Sequence, residues 1–183
     1  MNDAVPTLKT DRLILRPFAI SDASRIHELL QAPEIARTTL NIPYPYPEGA
    51  ATQWISTHAA SATSGAGLTW AVCLSPEPEP IGAVSLMINT LHQNANVAYW
   101  LGVDYWNRGI TSEAVHVVMD YGFRQLRLHR IGAGCFPENM GSVKVIQKNG
   151  MRREGTRRES CLKDGTFRDI TWFATLRREW EQR

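Results

Sequence analysis

Two short segments of the chain gather residue types suited to holding an anion. The first runs from Val103 to Glu113. A strand-like apolar stretch enters a loop carrying Arg108 and Gly109, and a helix starts directly behind it, at about Thr111 or Ser112. The first turn of a helix leaves backbone N–H groups without intrahelical partners, and its dipole favours negative charge there. Arg108 adds a fixed positive charge, Gly109 lets the backbone approach a ligand closely, and Thr111 and Ser112 add hydroxyls. Such a junction is suited to a pyrophosphate. It is equally suited to an ordinary capped helix with Glu113 in its first turn, and the segment alone leaves both readings open. Neither the P-loop pattern G-x-x-x-x-G-K-S/T nor the dinucleotide pattern G-x-G-x-x-G occurs in the chain.

The second segment is Cys135 to Ser142, where a strand ends and a helix starts behind Asn139. Asn139 is suited to ligand binding or simply to capping that helix, and Ser142 supplies a hydroxyl to its first turn. No Cys pair is spaced as C-x-x-C; Cys73, Cys135 and Cys161 stand far apart, which fits neither a disulfide scaffold nor a zinc site. A reducing, cytoplasmic setting is expected.

The elements that must position these segments follow from pattern. Leu13 to Phe18 is a first strand, ended near Pro17. Ser21-Asp22 offers an N-cap to a helix with Ile26, Leu29 and Leu30 on its apolar face. Proline alternates with other residues through Pro43-Tyr44-Pro45-Tyr46-Pro47, which excludes regular structure, and a helix follows from about Glu48 to Ala62. Residues 68–74, 81–88 and 96–103 read as three consecutive strands, the last with Gly102 inside it as a bulge or close approach. The next helix carries Ala114, Val115, Val118, Met119, Gly122 and Phe123 at helical spacing. A strand at 130–136, a helix stopped by Gly150, and two strands at 152–161 and 167–176 about a Lys163–Thr166 turn complete the chain. Consecutive strands imply antiparallel pairs, and the strand–helix–strand step through 97–135 implies one parallel crossover. The result is a mixed α/β sheet with helices packed against it.

Composition narrows the classes further. The 183 residues suit a single domain with its own core. Hydrophobic residues make up 43% and charged residues 21%, which argues against disorder. No apolar run is long enough for a membrane span, and Met1 to Pro6 lacks the basic-then-apolar order of a secretory signal. Residues 1–123 hold 6 Lys and Arg against 11 Asp and Glu, whereas residues 124–183 hold 14 against 7. A basic C-terminal third suits an anionic cofactor or an acidic protein, or is scattered surface charge. The basic residues are not interleaved with an aromatic nucleic-acid motif, so no nucleic-acid partner is expected.

Taken together, Tyr105-Trp106-Asn107-Arg108-Gly109-Ile110-Thr111-Ser112-Glu113-Ala114 resembles the acetyl-CoA pyrophosphate loop of the GNAT superfamily of N-acetyltransferases, and Asn139 to Met151 resembles that family's following helix. Thr10 to Phe18 and the proline–tyrosine loop at 42–47 resemble its ribosomal-protein (RimJ/RimL-like) branch. The likeness is colinear from about residue 8 to 176. Asn107 stands where the family loop has its first glycine, Thr111 where it has alanine, and Met151 where a Phe is usual.

The resemblance implies a GNAT fold: a mostly antiparallel twisted sheet of about six or seven strands, helices on both faces, and a splayed parallel pair that holds acetyl-CoA. It implies that the backbone of Leu101 and Val103 pairs with the pantetheine arm. The amides of Asn107, Arg108, Gly109, Ile110, Thr111 and Ser112 would take the pyrophosphate, and Asn139 and Ser142 would serve the pantetheine and thioester end. No metal is expected. Transfer would be direct, with Ser142 as acid or water-holder where the family often has a Tyr. Glu159, His92 and Asp169 are base candidates by chemistry alone. Cys135 near the sulfur reads as a small buried residue in preference to a covalent carrier. Tyr44, Tyr46, the first helix and the loop at Gly165 would frame an amine acceptor. The branch points to a protein N-terminus, here of an acidic partner. A small amine or antibiotic as acceptor, a non-catalytic acyl-CoA-binding module, and a homodimer through edge strands stay open beside it.

Overall fold

The structure, a computed structural model, describes residues 5–183. The reading of Met1 to Pro6 therefore lies in part outside the described residues. In chain order the elements are β1 (Leu8–Lys9), β2 (Leu13–Pro17), α1 (Ala23–Leu30), α2 (Pro33–Thr38), α3 (Ala50–Thr63), β3 (Gly67–Leu74), β4 (Pro80–Asn89) and β5 (Asn94–Leu101). There follow α4 (Ile110–Arg124), β6 (Arg130–Cys135), α5 (Met140–Lys148), β7 (Arg152–Lys163), β8 (Thr166–Leu176) and α6 (Arg177–Trp180).

The strands form one 8-stranded sheet in the order β1-β2-β3-β4-β5-β6-β8-β7. The eighth strand, beyond the six or seven expected, is the two-residue β1, too short to carry an alternation. All neighbours pair antiparallel except β5 and β6, which the helical crossover α4 makes parallel. Strand alternation divides the core between two faces. Leu13, Leu15, Trp70, Leu86 and Val97 join Ala114, Val118, Met119 and Phe123 of α4 in one buried cluster. On the other side Ile26, Leu30, Ile35, Ala51 and Ile55 of α1, α2 and α3 form a second, with Trp54 and Trp100 against it.

β5 begins two residues earlier than expected and stops at Leu101. Gly102 donates to the Ile81 carbonyl, and Val103–Tyr105 turn in a single 3-10 turn instead of extending the strand. The chain thus leaves the sheet abruptly and delivers residues 106–109 to the start of α4.

Candidate active site

The parallel pair is joined only at its start, where Asn94, Ala95 and Asn96 register with Arg130, Ile131 and Gly132. Beyond that the strands diverge. Gly102 N–H bonds to Ile81 O, and in an antiparallel ladder hydrogen-bonded pairs alternate, so Ala98 and Trp100 also face β4. Val97, Tyr99 and Leu101 then turn their backbone groups toward the gap. By the same count from Arg177 N–H on His129 O, Gly134 faces the gap from β6. The opening passes into a cavity of about 1270 Å³. The Leu101 carbonyl already accepts the Trp106 indole N–H at 2.7 Å, and the Val103 carbonyl accepts the Trp106 backbone N–H at 3.0 Å. Of the two residues expected to pair with pantetheine, Leu101 retains its N–H on the gap, whereas Val103 lies in the turn beyond the strand.

One end of the cavity is the start of α4. Gly109 has φ 77° and Asn107 φ 59°, both in the left-handed region. Asn tolerates that region better than most residues, so its replacement of a glycine leaves the turn intact. The first intrahelical bond runs from Glu113 N–H to Gly109 O, and no side chain caps the helix. The N–H groups of Ile110, Thr111 and Ser112 therefore have no partner within it. Glu113 does not spoil this positive pole, because Thr10 Oγ1 donates to it at 2.5 Å and Arg12 Nε at 2.8 Å. Burial pushes the Glu113 carboxyl up, but these bonds outweigh it and hold it below its ordinary range. Arg12 also donates to the Arg108 carbonyl, which sets a second guanidinium at the loop. From the other side, buried Asn149 ties the Ser112 carbonyl to the end of α5 at 3.1 Å.

The middle of the cavity is built by β5, β6 and the first turn of α5. Asn139 Oδ1 accepts the Ser142 N–H at 3.0 Å, so the capping reading holds, and its Nδ2 donates to Thr38 O at 3.2 Å. One further N–H and one lone pair of that amide remain for a ligand. Ser142 Oγ lies 2.7 Å from the Tyr99 hydroxyl. Burial pushes the Tyr99 phenol well above its ordinary range, so it is protonated at neutral pH. Cys135 is also buried here, and burial raises its thiol, with Ser142 opposing the shift. A raised thiol is a poor nucleophile, in line with a packing role.

The far end lies between α3, the proline loop and β8. Tyr46 lines it, but Tyr44 projects outward, 57% exposed, and does not line the cavity. Lys163 Nζ donates to the Ile42 carbonyl at 2.8 Å and so fastens the β7–β8 hairpin over this end. None of the three base candidates lines the cavity. Glu159 sits in the bulge between Arg157 and Cys161, which turns it outward, and its N–H is held by Asp169 Oδ1. His92 lies in the exposed β4–β5 turn, its N–H on Asn89 Oδ1. Glu138 does line the cavity, paired with Arg168.

His58 lines this end as well and escaped the sequence reading. Both its ring nitrogens are buried without a partner, and its ring packs on Trp54 at 4.5 Å and Phe18 at 5.4 Å. Desolvation lowers it to about 4, so it is a neutral imidazole at pH 7. Its signal was its position four residues after Trp54, on the same face of α3. Tyr99 was legible in the same way, as a phenol alternating with Val97 and Leu101. Among the described residues no group of three His, Cys, Asp or Glu is placed to hold a metal ion, and no helix is long and apolar enough to cross a membrane.

These features can be set beside known proteins. The family described as acetyltransferase (GNAT) domain matches residues 12–152. An uncharacterized N-acetyltransferase p20 of Bacillus licheniformis is 31% identical over 175 residues, 95% of this chain and 98% of its own. The ribosomal-protein-serine acetyltransferase of Escherichia coli is 27% identical over 101 residues, 55% of this chain and 56% of its own. RimJ of Mycobacterium smegmatis, solved in complex with CoA-disulfide, superposes with a TM-score of 0.81 at 25% identity, over 91% of this chain and 83% of that one. With the splayed pair, the open helix start behind it and a family match across most of its length, the chain belongs to the GNAT family of acetyl-CoA-dependent N-acetyltransferases.

Proposed function

We propose that the chain, acting as one N-acetyltransferase domain over residues 1–183, transfers the acetyl group of acetyl-CoA to the α-amine of a protein N-terminus. The observation that carries this reading is the neutrality of the acceptor end. Its polar groups include Asn41, Tyr46, Thr57, His58, Ser61, Thr69, Ser85, Asn96 and Trp172, none of them charged at pH 7. The one lining carboxylate, Glu138, is neutralised by Arg168. An alkylamine with a pKa of about 10.4 needs a strong local base, and a second ammonium needs a carboxylate to meet it. An α-amine, with a pKa of about 7.7–8.0, is already partly neutral at pH 7 and can lose its remaining proton to water.

Acetyl-CoA, when bound, supplies an acetyl group on a good leaving thiol. The N–H groups of Ile110, Thr111 and Ser112, with the loop of Asn107, Arg108 and Gly109 and the nearby Arg12, hold its phosphates. The gap-facing groups of Val97, Tyr99 and Leu101 pair with the pantetheine arm as a strand edge pairs with a peptide. A gap-facing N–H polarises the thioester carbonyl. Asn139 steadies the arm beside it, and Ser142 offers its hydroxyl to the sulfur. Tyr46 and the fastened hairpin enclose the acceptor. The arginines of β7, Arg157 and Arg158 among them, are exposed on the sheet edge and favour an acidic partner around that N-terminus.

Thiol release from acetyl-CoA, measured with short peptides bearing free α-amines and with polyamines, tests the reading. Turnover is expected with the peptides, rising with pH up to the α-amine pKa, and not with the polyamines. Preferred turnover of a polyamine contradicts the acceptor assignment, and acetyl-CoA binding without turnover of any amine identifies a binding module instead.

A further inference from the structure

Ser142 has one hydroxyl proton, and two neighbours could claim it. Its Oγ lies 2.7 Å from the Tyr99 hydroxyl, and Ser142 also opposes the burial that raises the Cys135 thiol. Were Ser142 to donate to Tyr99, nothing would remain for a thioester sulfur. Either hydroxyl could donate across the 2.7 Å contact, but the phenol is the more acidic of the two and so the better donor. The Tyr99 phenol is part-buried and stays protonated, and the oxygens it meets are both from Ser142: Oγ at 2.7 Å and the carbonyl at 3.3 Å. The shorter approach is the stronger bond. The Ser142 backbone is fixed in turn, since Asn139 Oδ1 holds its N–H at 3.0 Å. A hydroxyl that accepts one hydrogen bond becomes a better donor in the next.

We propose that Tyr99 is a positioning residue: by donating to Ser142 Oγ it leaves the Ser142 proton free and directs it at the sulfur of acetyl-CoA. The inference rests on the role given to Ser142 above. In the step it serves, the acceptor nitrogen bonds to the acetyl carbon and the C–S bond breaks with its electron pair on sulfur. The Ser142 hydroxyl stabilises that thiolate by hydrogen bonding. Sulfur finally takes the proton that the nitrogen gives up through water, so Tyr99 and Ser142 end with the protons they began with. The Tyr99 hydroxyl, apart from the backbone of the same residue on the gap, stands behind Ser142 and acts only through it.

The test needs no acceptor. CoA is bound to wild type, Tyr99→Phe, Ser142→Ala and the double variant, and its thiol is titrated by thiolate absorbance in difference spectra that subtract the protein's own cysteines. Tyr99→Phe is expected to raise the pKa of the bound thiol, and Ser142→Ala to raise it at least as far. The double variant should match Ser142→Ala. With an acceptor in hand, Tyr99→Phe should lower kcat about fivefold and leave the acetyl-CoA KM unchanged. 3-Fluorotyrosine at Tyr99, a stronger donor of nearly the same size, should shift the bound thiol the opposite way, and this variant carries the test should Tyr99→Phe fold poorly. A shift in Ser142→Ala with none in Tyr99→Phe or the fluorinated protein overturns the inference, as do additive effects in the double variant. No shift in any variant means that Ser142 does not meet the sulfur, and the inference falls with that role. Failure of the acceptor panel alone would leave this titration unaffected.

Discussion

Gly109 has its φ at 77°, and a Cβ there would meet only Arg12 Nη2, at an ordinary contact distance of 3.8 Å. The constraint on this residue is therefore the backbone itself. A left-handed conformation costs an ordinary L-residue roughly 1–2 kcal/mol, and a β-branched one cannot hold it comfortably. Gly109→Val should re-aim the N–H groups of Ile110 to Ser112 and weaken acetyl-CoA binding by about tenfold or more, which is on the order of that strain. Calorimetry on the folded variant checks this, and unchanged affinity would remove the pyrophosphate from this turn. By residue type Arg108, Gly109, Thr111 and Ser112 suit an anion site or a capped helix alike, and the structure adds the uncapped helix start; Asn107 holds a left-handed φ that its type suits. Side-chain type alone could not tell that Glu159, His92 and Asp169 stay out of the cavity lining, Glu159 in a bulge and His92 in a turn.

At the scale of the element, α3 walls the far end of the cavity, and His58 is its vulnerable point. The imidazole is lowered to about 4 in the folded chain against 6.5 in the unfolded one, so the unfolded chain binds its proton more readily. The stability that neutral His58 contributes is complete above pH 6.5 and is lost as pH falls from 6.5 toward 4. The full span is up to ~3 kcal/mol at 1.36 kcal/mol for each pKa unit. Denaturant unfolding across that range should show a weaker pH slope in His58→Phe than in wild type; equal slopes would place the acid sensitivity elsewhere. Helices and strands with a clear apolar period, such as α4 and β4, were readable within a residue or two. The end of β5 was not: apolar Val103 continues the pattern, but the Gly102 bond to Ile81 and the 3-10 turn end the strand. Nor was the Lys163 tie to Ile42, which joins residues 121 apart and leaves no local signature.

For the whole molecule, order of elements and charge distribution were the legible quantities. One helical crossover among antiparallel neighbours implied a single parallel pair, and that pair is where the sheet opens. Four of the arginines that make the C-terminal third basic, Arg152, Arg153, Arg157 and Arg158, lie on β7, an edge strand whose charge also discourages pairing with another sheet. Some of that charge is spent within the fold, as in Arg130 with Glu154 and Arg168 with Glu138. What no period or motif could reveal is that three distant segments, α3, β5 and the start of α5, meet in one cavity, to which the proposed function gives a charged cofactor end and a neutral acceptor end. That polarity is the central claim. It is tested most directly by offering the enzyme acetyl-CoA and a peptide that carries both a free α-amine and a lysine side chain, then locating the acetyl group by mass spectrometry. Acetylation at the α-amine alone is the predicted result; acetylation at the lysine would contradict the account.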